Sequence, residues 1–198
     1  MRPYYRCAYT LVGLHLKLCH QIKIEGRENI PDDACLIVGN HLSYFDPTTI
    51  GWAIPREIYY LGRKDLFKPP VLSWLLPISN VLPVDRDGAD ISGLRGIIKM
   101  LKGGKSVLVF PEGTRSPDGD LQKAEPGAGL LAVKAGVRVL PTRVFGTFEA
   151  LSRKAKRYSM HPLRVVIGKP YWPTIPPAGK PDYQAISDEM MAKIADLK

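Results

Sequence analysis

Short apolar runs closed by glycine, proline or polar residues alternate along this chain with stretches whose apolar residues recur every three or four positions. Ala34-Cys-Leu-Ile-Val-Gly39 and Ser106-Val-Leu-Val-Phe110 are apolar at consecutive positions, which predicts strands buried on both faces. Val137 to Val144 and Leu163 to Gly168 predict two more strands, and another apolar run ends in Val81-Leu-Pro-Val84. Between them the period lengthens. Ile91, Leu94, Ile98 and Leu101 share one face of a helix that Asp90 can cap and Gly103-Gly104 stops. Gly127 to Ala135 predicts a second helix, ended by Gly136. Asp182 to Leu197 predicts a closing one, with Ile186, Met190, Ile194 and Leu197 spaced to pack down. The proline-rich stretch from Lys169 to Pro181 reads as a connector. Strands alternating with helices define an α/β fold: one layered domain with a mostly parallel or mixed sheet flanked by helices. A length of 198 residues suits one such core, and no internal repeat divides it.

The amino terminus follows another pattern. Tyr4 to Cys19 is apolar and aromatic but interrupted by Arg6, His15 and Lys17. It is too broken for a membrane span, and no small-residue cleavage site follows it as in a signal peptide. Two readings stand. Either the segment is an interfacial helix, with tyrosines at the head groups and Arg6 and Lys17 snorkelling, or it is an amphipathic helix packed on the domain. The expected organisation is therefore a membrane-interfacial helix over 1–22 and one domain over 23–198. Phe67 to Val84, with Trp74, Leu75, Leu76 and Ile78, is also apolar, but prolines at 69, 70, 77 and 83 exclude one long helix. A short element dipping into a bilayer, or roofing an acyl-chain groove, fits that pattern; burial in the core is the alternative. Peripheral or monotopic attachment to a membrane is expected.

Charge narrows the partners. The net charge is +9, so anionic partners are expected. No zinc-finger, RNA-recognition or basic-zipper motif is present, which argues against nucleic acid. The cluster Arg153-Lys-Ala-Lys-Arg157 is either a solvated loop or a contact to a lipid surface. Three cysteines without paired spacing suggest a reducing compartment, and Cys35 belongs to a buried strand. Cys7, His15, Cys19 and His20 lack zinc-ligand spacing and read as surface or interface residues; no metal is expected. His161 stands in a basic loop without an evident partner. Gly103-Gly104-Lys105-Ser106 resembles the tail of a phosphate-binding loop, but Lys99 occupies the first glycine position and the segment precedes a strand.

Candidate chemistry gathers at the strand ends. His41 follows the first buried strand, and Asp46 stands before Pro47 with four residues between the pair. A residue before proline avoids the helical region, and aspartate at the N-cap with proline first in the helix is a standard start. Within one regular helix, five steps of about 100° would splay the two side chains apart. A turn brings them together. One Asp46 oxygen would then cap the helix while the other holds His41, fixes its tautomer and stabilises its protonated form. The plain alternative is an N-cap beside a surface histidine. After the second buried strand comes Pro111-Glu-Gly-Thr-Arg115. Arg115 suits bidentate binding of a phosphate, and Glu112 suits orienting that arginine or a substrate hydroxyl, unless the segment is a surface turn with an ordinary salt bridge. Arg86 is a second phosphate-ligand candidate, unless it pairs with Asp85 or Asp87.

Taken in order, these segments resemble the glycerolipid acyltransferase family, in particular its lysophosphatidic acid acyltransferases. Asn40-His41 through Asp46 matches the first motif, His-x4-Asp, and Phe110-Pro-Glu112-Gly113-Thr114-Arg115 matches the third in full. Asn80 through Arg86 resembles the second, which usually opens with glycine and carries an aromatic where Pro83 stands. Val139-Leu-Pro141 resembles the fourth. The likeness runs from about Ile24 to Pro170. One departure is Lys123-Ala-Glu-Pro-Gly-Ala128, where the family often has an aromatic followed by basic residues; one basic contact to the acceptor or the acyl donor is then either missing or supplied by Lys123.

The resemblance implies that 23–198 is an acyltransferase domain and that the activity is phospholipid synthesis. An acyl chain would pass from acyl-coenzyme A or acyl-acyl carrier protein to the sn-2 hydroxyl of lysophosphatidic acid, giving phosphatidic acid at the cytoplasmic face of a membrane. His41 and Asp46 would be catalytic. Arg86, Glu112, Gly113, Thr114 and Arg115 would bind substrate. No cofactor beyond the acyl donor is implied. Ser43 lies inside the first motif, but a Gly-x-Ser-x-Gly elbow is absent, so direct transfer is expected over an acyl-enzyme. Glycerol 3-phosphate and other lysolipids remain alternative acceptors, and a non-catalytic protein of anionic membranes is the alternative class.

Overall fold

In the computed structural model, residues 1–84, 91–155, 157–175 and 179–198 are described, the side chains of residues 91 and 92 excepted. Its elements follow in the order α1 (Pro3–His20), β1 (Lys23–Glu25), β2 (Cys35–Gly39), α2 (Asp46–Ala53), β3 (Tyr59–Arg63), α3 (Pro70–Ile78), β4 (Val81–Val84), α4 (Ile91–Lys102), β5 (Val107–Val109), α5 (Gly127–Ala135), β6 (Arg138–Phe145), α6 (Thr147–Leu151), β7 (Arg164–Ile167) and α7 (Tyr183–Ala195). The strands form one sheet in the order β1-β7-β6-β2-β5-β3-β4. Five neighbours, β6 through β4, run parallel; β7 is antiparallel to β6, and β1 is parallel to β7.

The pleat explains why the β2 run is apolar at every position. Leu36 and Val38 join Val107, Val109 and Val139 against α4, α5 and α7 on one face. Cys35 and Ile37 join Leu108, Leu140 and Val144 against α2 on the other. A central parallel strand has no solvent side, so both sets must be apolar. Burial also pushes the Cys35 thiol up, which keeps it protonated and inert. Pro83 stands on the edge strand β4, where its missing N–H leaves no partner unsatisfied inside the sheet. The closing helix starts one residue later than expected, and Asp182 is its N-cap, accepting the N–H groups of Gln184 and Ala185 at 2.9 and 3.0 Å. The expected Asp90 cap of α4 lies outside the described residues.

Helix α1 packs on the domain and presents an apolar face on its other side. Tyr5, Gly13, Leu16 and His20 are buried against the domain, while Tyr4, Leu11, Leu14 and Leu18 are exposed on the other side. The close approach requires glycine at position 13, since a Cβ there would collide with the Trp52 indole of α2. Helix α3 exposes Val71, Trp74 and Leu75, so the helical part of the second apolar segment stands outside the core, while its end forms β4 and packs Val84 against the core. Among the described residues, no helix is long and apolar enough to cross a membrane.

Two local expectations need correction. His20 is not a surface residue: it is 1% exposed, with Nδ1 at 2.7 Å from the His161 carbonyl and Nε2 against the Tyr158 hydroxyl. The same hydroxyl reaches His15 Nε2 at 2.7 Å, so His161 and both amino-terminal histidines belong to one aromatic, hydrogen-bonded cluster. Asp46 is the first residue of α2 rather than its N-cap, and Pro47 is the second. Phe45 precedes them with a helical backbone, so the turn tightens one residue earlier than a proline rule implies.

Candidate active site

The connections that leave β2 and β5 cross opposite faces of the sheet. From β2 the chain crosses one face through α2 to reach β3; from β5 it crosses the other through α5 to reach β6. Because β2 and β5 are parallel neighbours whose chains turn to opposite faces, their carboxyl ends lie side by side at the edge of the sheet where ligands usually bind in open α/β folds. His41 leaves β2 there, and Phe110 to Arg115 leave β5 there.

The side chains of His41 and Asp46 meet at this edge. Nδ1 of His41 lies 2.9 Å from Asp46 Oδ2. That oxygen also accepts the N–H groups of Leu42 and Ser43, each at 2.6 Å. The carboxylate therefore braces the turn between the two residues and does not cap α2. Its second oxygen, Oδ1, is buried without a partner among the described residues. An acceptor with these contacts makes Nδ1 the protonated nitrogen of a neutral imidazole and leaves Nε2 as the acceptor available to a substrate. Phe110 stacks on the ring at 4.0 Å and an interplanar angle of 13°, fixing its orientation.

Glu112 is placed differently from the expectation. It is 3% exposed and makes no ion pair with Arg115. Its Oε1 accepts the backbone N–H of His41 at 2.8 Å, and its Oε2 accepts Gln122 Nε2 at 2.9 Å. Ser116 N–H completes the clamp by donating to the His41 carbonyl at 2.8 Å. Burial raises the Glu112 carboxyl above its ordinary range, opposed by the hydrogen bonds from Gln122 and the His41 backbone. Thus Glu112 holds the peptide of His41 rather than a cation.

Arg115 reaches the same space as His41. Its guanidinium lies 3.4 Å over the Tyr44 ring, and Nη1 is buried without a partner among the described residues. A planar cation supported on one side and unsatisfied at one nitrogen is suited to an anionic ligand. His41, Tyr44, Gly113 and Arg115 line one cavity of about 1540 Å³, whose remaining wall is largely aromatic and aliphatic, including Tyr5, Tyr9, Trp52, Tyr60, Trp74 and Leu75. A space of that size accommodates a long apolar chain beside a polar head.

Gly113 adopts φ 66°, where a side chain would be strained and would press on Glu125. Thr114 is exposed, and its carbonyl accepts Gln122 Nε2 at 3.0 Å. Lys123 is exposed outside the cavity lining. Arg86, with Asp85 and Asp87, lies outside the described residues. Asn80, which stands where the family motif opens with glycine, adopts φ 62° and donates to the Ile58 carbonyl at 3.2 Å. Asparagine tolerates that left-handed conformation, so the departure preserves the backbone turn. Phe110, Gln122 and Tyr44 were not legible as site residues. Phe110 ends an apolar strand, Tyr44 sits between the two motif residues, and Gln122 meets Glu112 only through the curl of its loop.

Comparison with known proteins agrees with this architecture. The model of the Acyltransferase family matches residues 21–144, and the chain belongs to that family. It is 33% identical over 156 residues to the chloroplast 1-acyl-sn-glycerol-3-phosphate acyltransferase LPAT1 of Arabidopsis thaliana, covering 76% of this chain and 44% of that relative. The corresponding protein of Bacillus subtilis is 29% identical over 167 residues, covering 83% and 80%. The chain spans about half the length of the chloroplast relatives it matches. The crystal structure of the 1-acyl-sn-glycerophosphate acyltransferase PlsC from Thermotoga maritima superimposes with a TM-score of 0.78 at 25% identity, covering 99% of this chain and 83% of that one.

Proposed function

We propose that this protein transfers an acyl chain from a thioester donor, acyl-coenzyme A or acyl-acyl carrier protein, to the sn-2 hydroxyl of lysophosphatidic acid. The observation that carries the reading is the 2.9 Å contact of His41 Nδ1 with Asp46, in a crevice whose cavity also holds Arg115. Nε2 takes the proton of the acceptor hydroxyl as its oxygen attacks the thioester carbonyl, and Asp46 stabilises the imidazolium that forms. The tetrahedral intermediate collapses by expelling the thiolate, which receives the proton back from Nε2. No acyl-enzyme and no metal enter the sequence of steps.

Arg115 holds the acceptor phosphate, so that the hydroxyl is presented to His41 in a fixed orientation. Arg86 is the second cation of that phosphate site. Glu112 acts through the His41 peptide. The apolar wall receives the acyl chain, and the exposed faces of α1 and α3 rest on the cytoplasmic leaflet, with the positive surface drawn to anionic lipids. The names of the relatives support the acceptor and the reaction.

Thiol release from both donors, with and without lysophosphatidic acid, tests the proposal. Acceptor-dependent release that His41→Ala abolishes is the expected result. Release without acceptor would make the protein a thioesterase, and no release from folded, lipid-bound protein would overturn the acyl-transfer reading.

A further inference from the structure

The basic loop after α6 is not used by the chemistry above, yet one of its residues faces the reaction space. Arg153 lines the same cavity as His41 and Arg115, although it follows them by a long stretch of chain. It is exposed, and among the described residues it has neither an ion pair nor a side-chain hydrogen bond. Its position is nevertheless set. Ser43 and Ser152 form an antiparallel bridge, and Ser43 Oγ donates to the Leu151 carbonyl at 2.5 Å. Bridge partners stand about 5 Å apart between Cα atoms. The root of the loop is therefore tied two residues from His41, and Ala150 just before it is fully buried.

We propose that Arg153 is the anchor for the phosphate on the phosphopantetheine arm of the acyl donor, the group that acyl-coenzyme A and acyl-acyl carrier protein share. The inference rests on the thioester donor proposed above. Its logic is one of charge and depth. The reaction brings two phosphates to one cavity, one on the acceptor and one on the donor arm. Arg115 is half-buried, stacked on Tyr44 and unsatisfied at Nη1, which suits the phosphate nearest the reacting hydroxyl. Arg153 is exposed at the mouth on a tethered backbone. A thioester carbonyl placed at His41 sends its pantetheine arm outward, and the first anion along that arm is this phosphate. A long, unpaired guanidinium at the rim meets it without burying a charge, so the product thiol can leave on each turnover.

The experiment compares wild type, Arg153→Gln and Arg153→Lys with three donors: acyl-coenzyme A, acyl-acyl carrier protein, and acyl-pantetheine, which has the thioester but no phosphate. With the first two, Arg153→Gln is expected to raise the donor KM by about tenfold, as for loss of one charge-assisted contact, while kcat and the KM for lysophosphatidic acid stay near wild type. Arg153→Lys should recover part of the loss. With acyl-pantetheine the three proteins should not differ. Added salt should raise the wild-type donor KM and have less effect on Arg153→Gln.

Several results would overturn the assignment. An equal loss with acyl-pantetheine would remove the phosphate from the explanation. A raised KM for lysophosphatidic acid would move Arg153 to the acceptor site. An effect confined to one carrier would mean that the shared phosphate is not what Arg153 reads. Unchanged kinetics on detergent-dispersed substrates, with weaker binding to vesicles containing phosphatidylglycerol, would make the loop a membrane contact. If wild type transfers from no donor, the thioester reading has failed separately. Equilibrium binding of coenzyme A and of holo-acyl carrier protein to wild type and Arg153→Gln then tests the anchor alone, and equal binding overturns it.

Discussion

Glu112 and His41 are joined through the backbone: the Glu112 carboxylate accepts the His41 N–H at 2.8 Å from a loop 71 residues further along the chain. The acid of the third motif thus sets the pitch of the peptide that carries the candidate base. Glu112→Gln puts an amide N–H against Gln122 Nε2, donor facing donor, and the loop must shift. A displacement of about 1 Å at a reacting group costs up to about a hundredfold in rate. We expect kcat to fall about 10- to 100-fold with little change in the KM for lysophosphatidic acid, read from steady-state kinetics. A KM effect without a kcat effect would return Glu112 to direct substrate binding.

The same residue makes stability depend on pH. Burial raises the Glu112 carboxyl above its ordinary 4.5, so the folded state holds this proton to higher pH than the unfolded chain does. Its contribution to stability is complete below 4.5 and declines as pH rises through the raised folded value. Urea unfolding of wild type on the alkaline side of 4.5 should show that decline, and Glu112→Gln, which cannot ionise, should lack it.

His41→Ala and Asp46→Asn should both abolish most transfer. Loss of the base removes a contribution of about 10²- to 10⁴-fold. Asp46→Asn keeps an oxygen for some of the N–H donors of Leu42, Ser43 and His41 but lacks the charge that stabilises the imidazolium. Its loss should appear in kcat across the pH range. A wild-type rate for either variant would exclude the pair from the chemistry.

Arg115 should separate charge from geometry. Arg115→Lys keeps a cation but loses the planar stack on Tyr44 and the second parallel hydrogen bond. The KM for lysophosphatidic acid is expected to rise by about tenfold in Arg115→Lys and further in Arg115→Ala. Wild type and variants should converge on an acceptor that lacks the phosphate.

The apolar faces of α1 and α3 make a prediction that needs no catalysis. Leu14→Ser, Leu18→Ser and Trp74→Ser remove exposed side chains and leave the core intact. Co-sedimentation with anionic vesicles should weaken progressively as they are combined, while thermal unfolding stays near wild type. Unchanged sedimentation would place the membrane contact elsewhere.

Much of this molecule follows from local rules. Apolar runs such as Cys35 to Val38 admit no exposed face, and the periodic stretch at Gly127 to Ala135 closes on a glycine at φ 63°, so strand and helix were legible where burial and backbone chemistry coincide. The pairing of His41 with Asp46 was also legible, because a proline-bounded turn brings two close residues together. What lay beyond sequence was any contact set by strand order. Position 112 meets position 41, and position 152 meets position 43, only because β5 lies beside β2 and α6 returns across the same edge. Even the local role of Asp46 was decided in three dimensions: its oxygen turned back to three donors of the preceding loop instead of capping the helix it begins. Sequence alone determined the buried central strands, most of the longer helices and the meeting of His41 with Asp46, because those depend on neighbours along the chain. The short elements β1, β3 and α6 carried no such local signal. The tertiary structure decided which groups hold that pair in place and which cations share its cavity, because those contacts exist only once the sheet has closed the distance between remote segments.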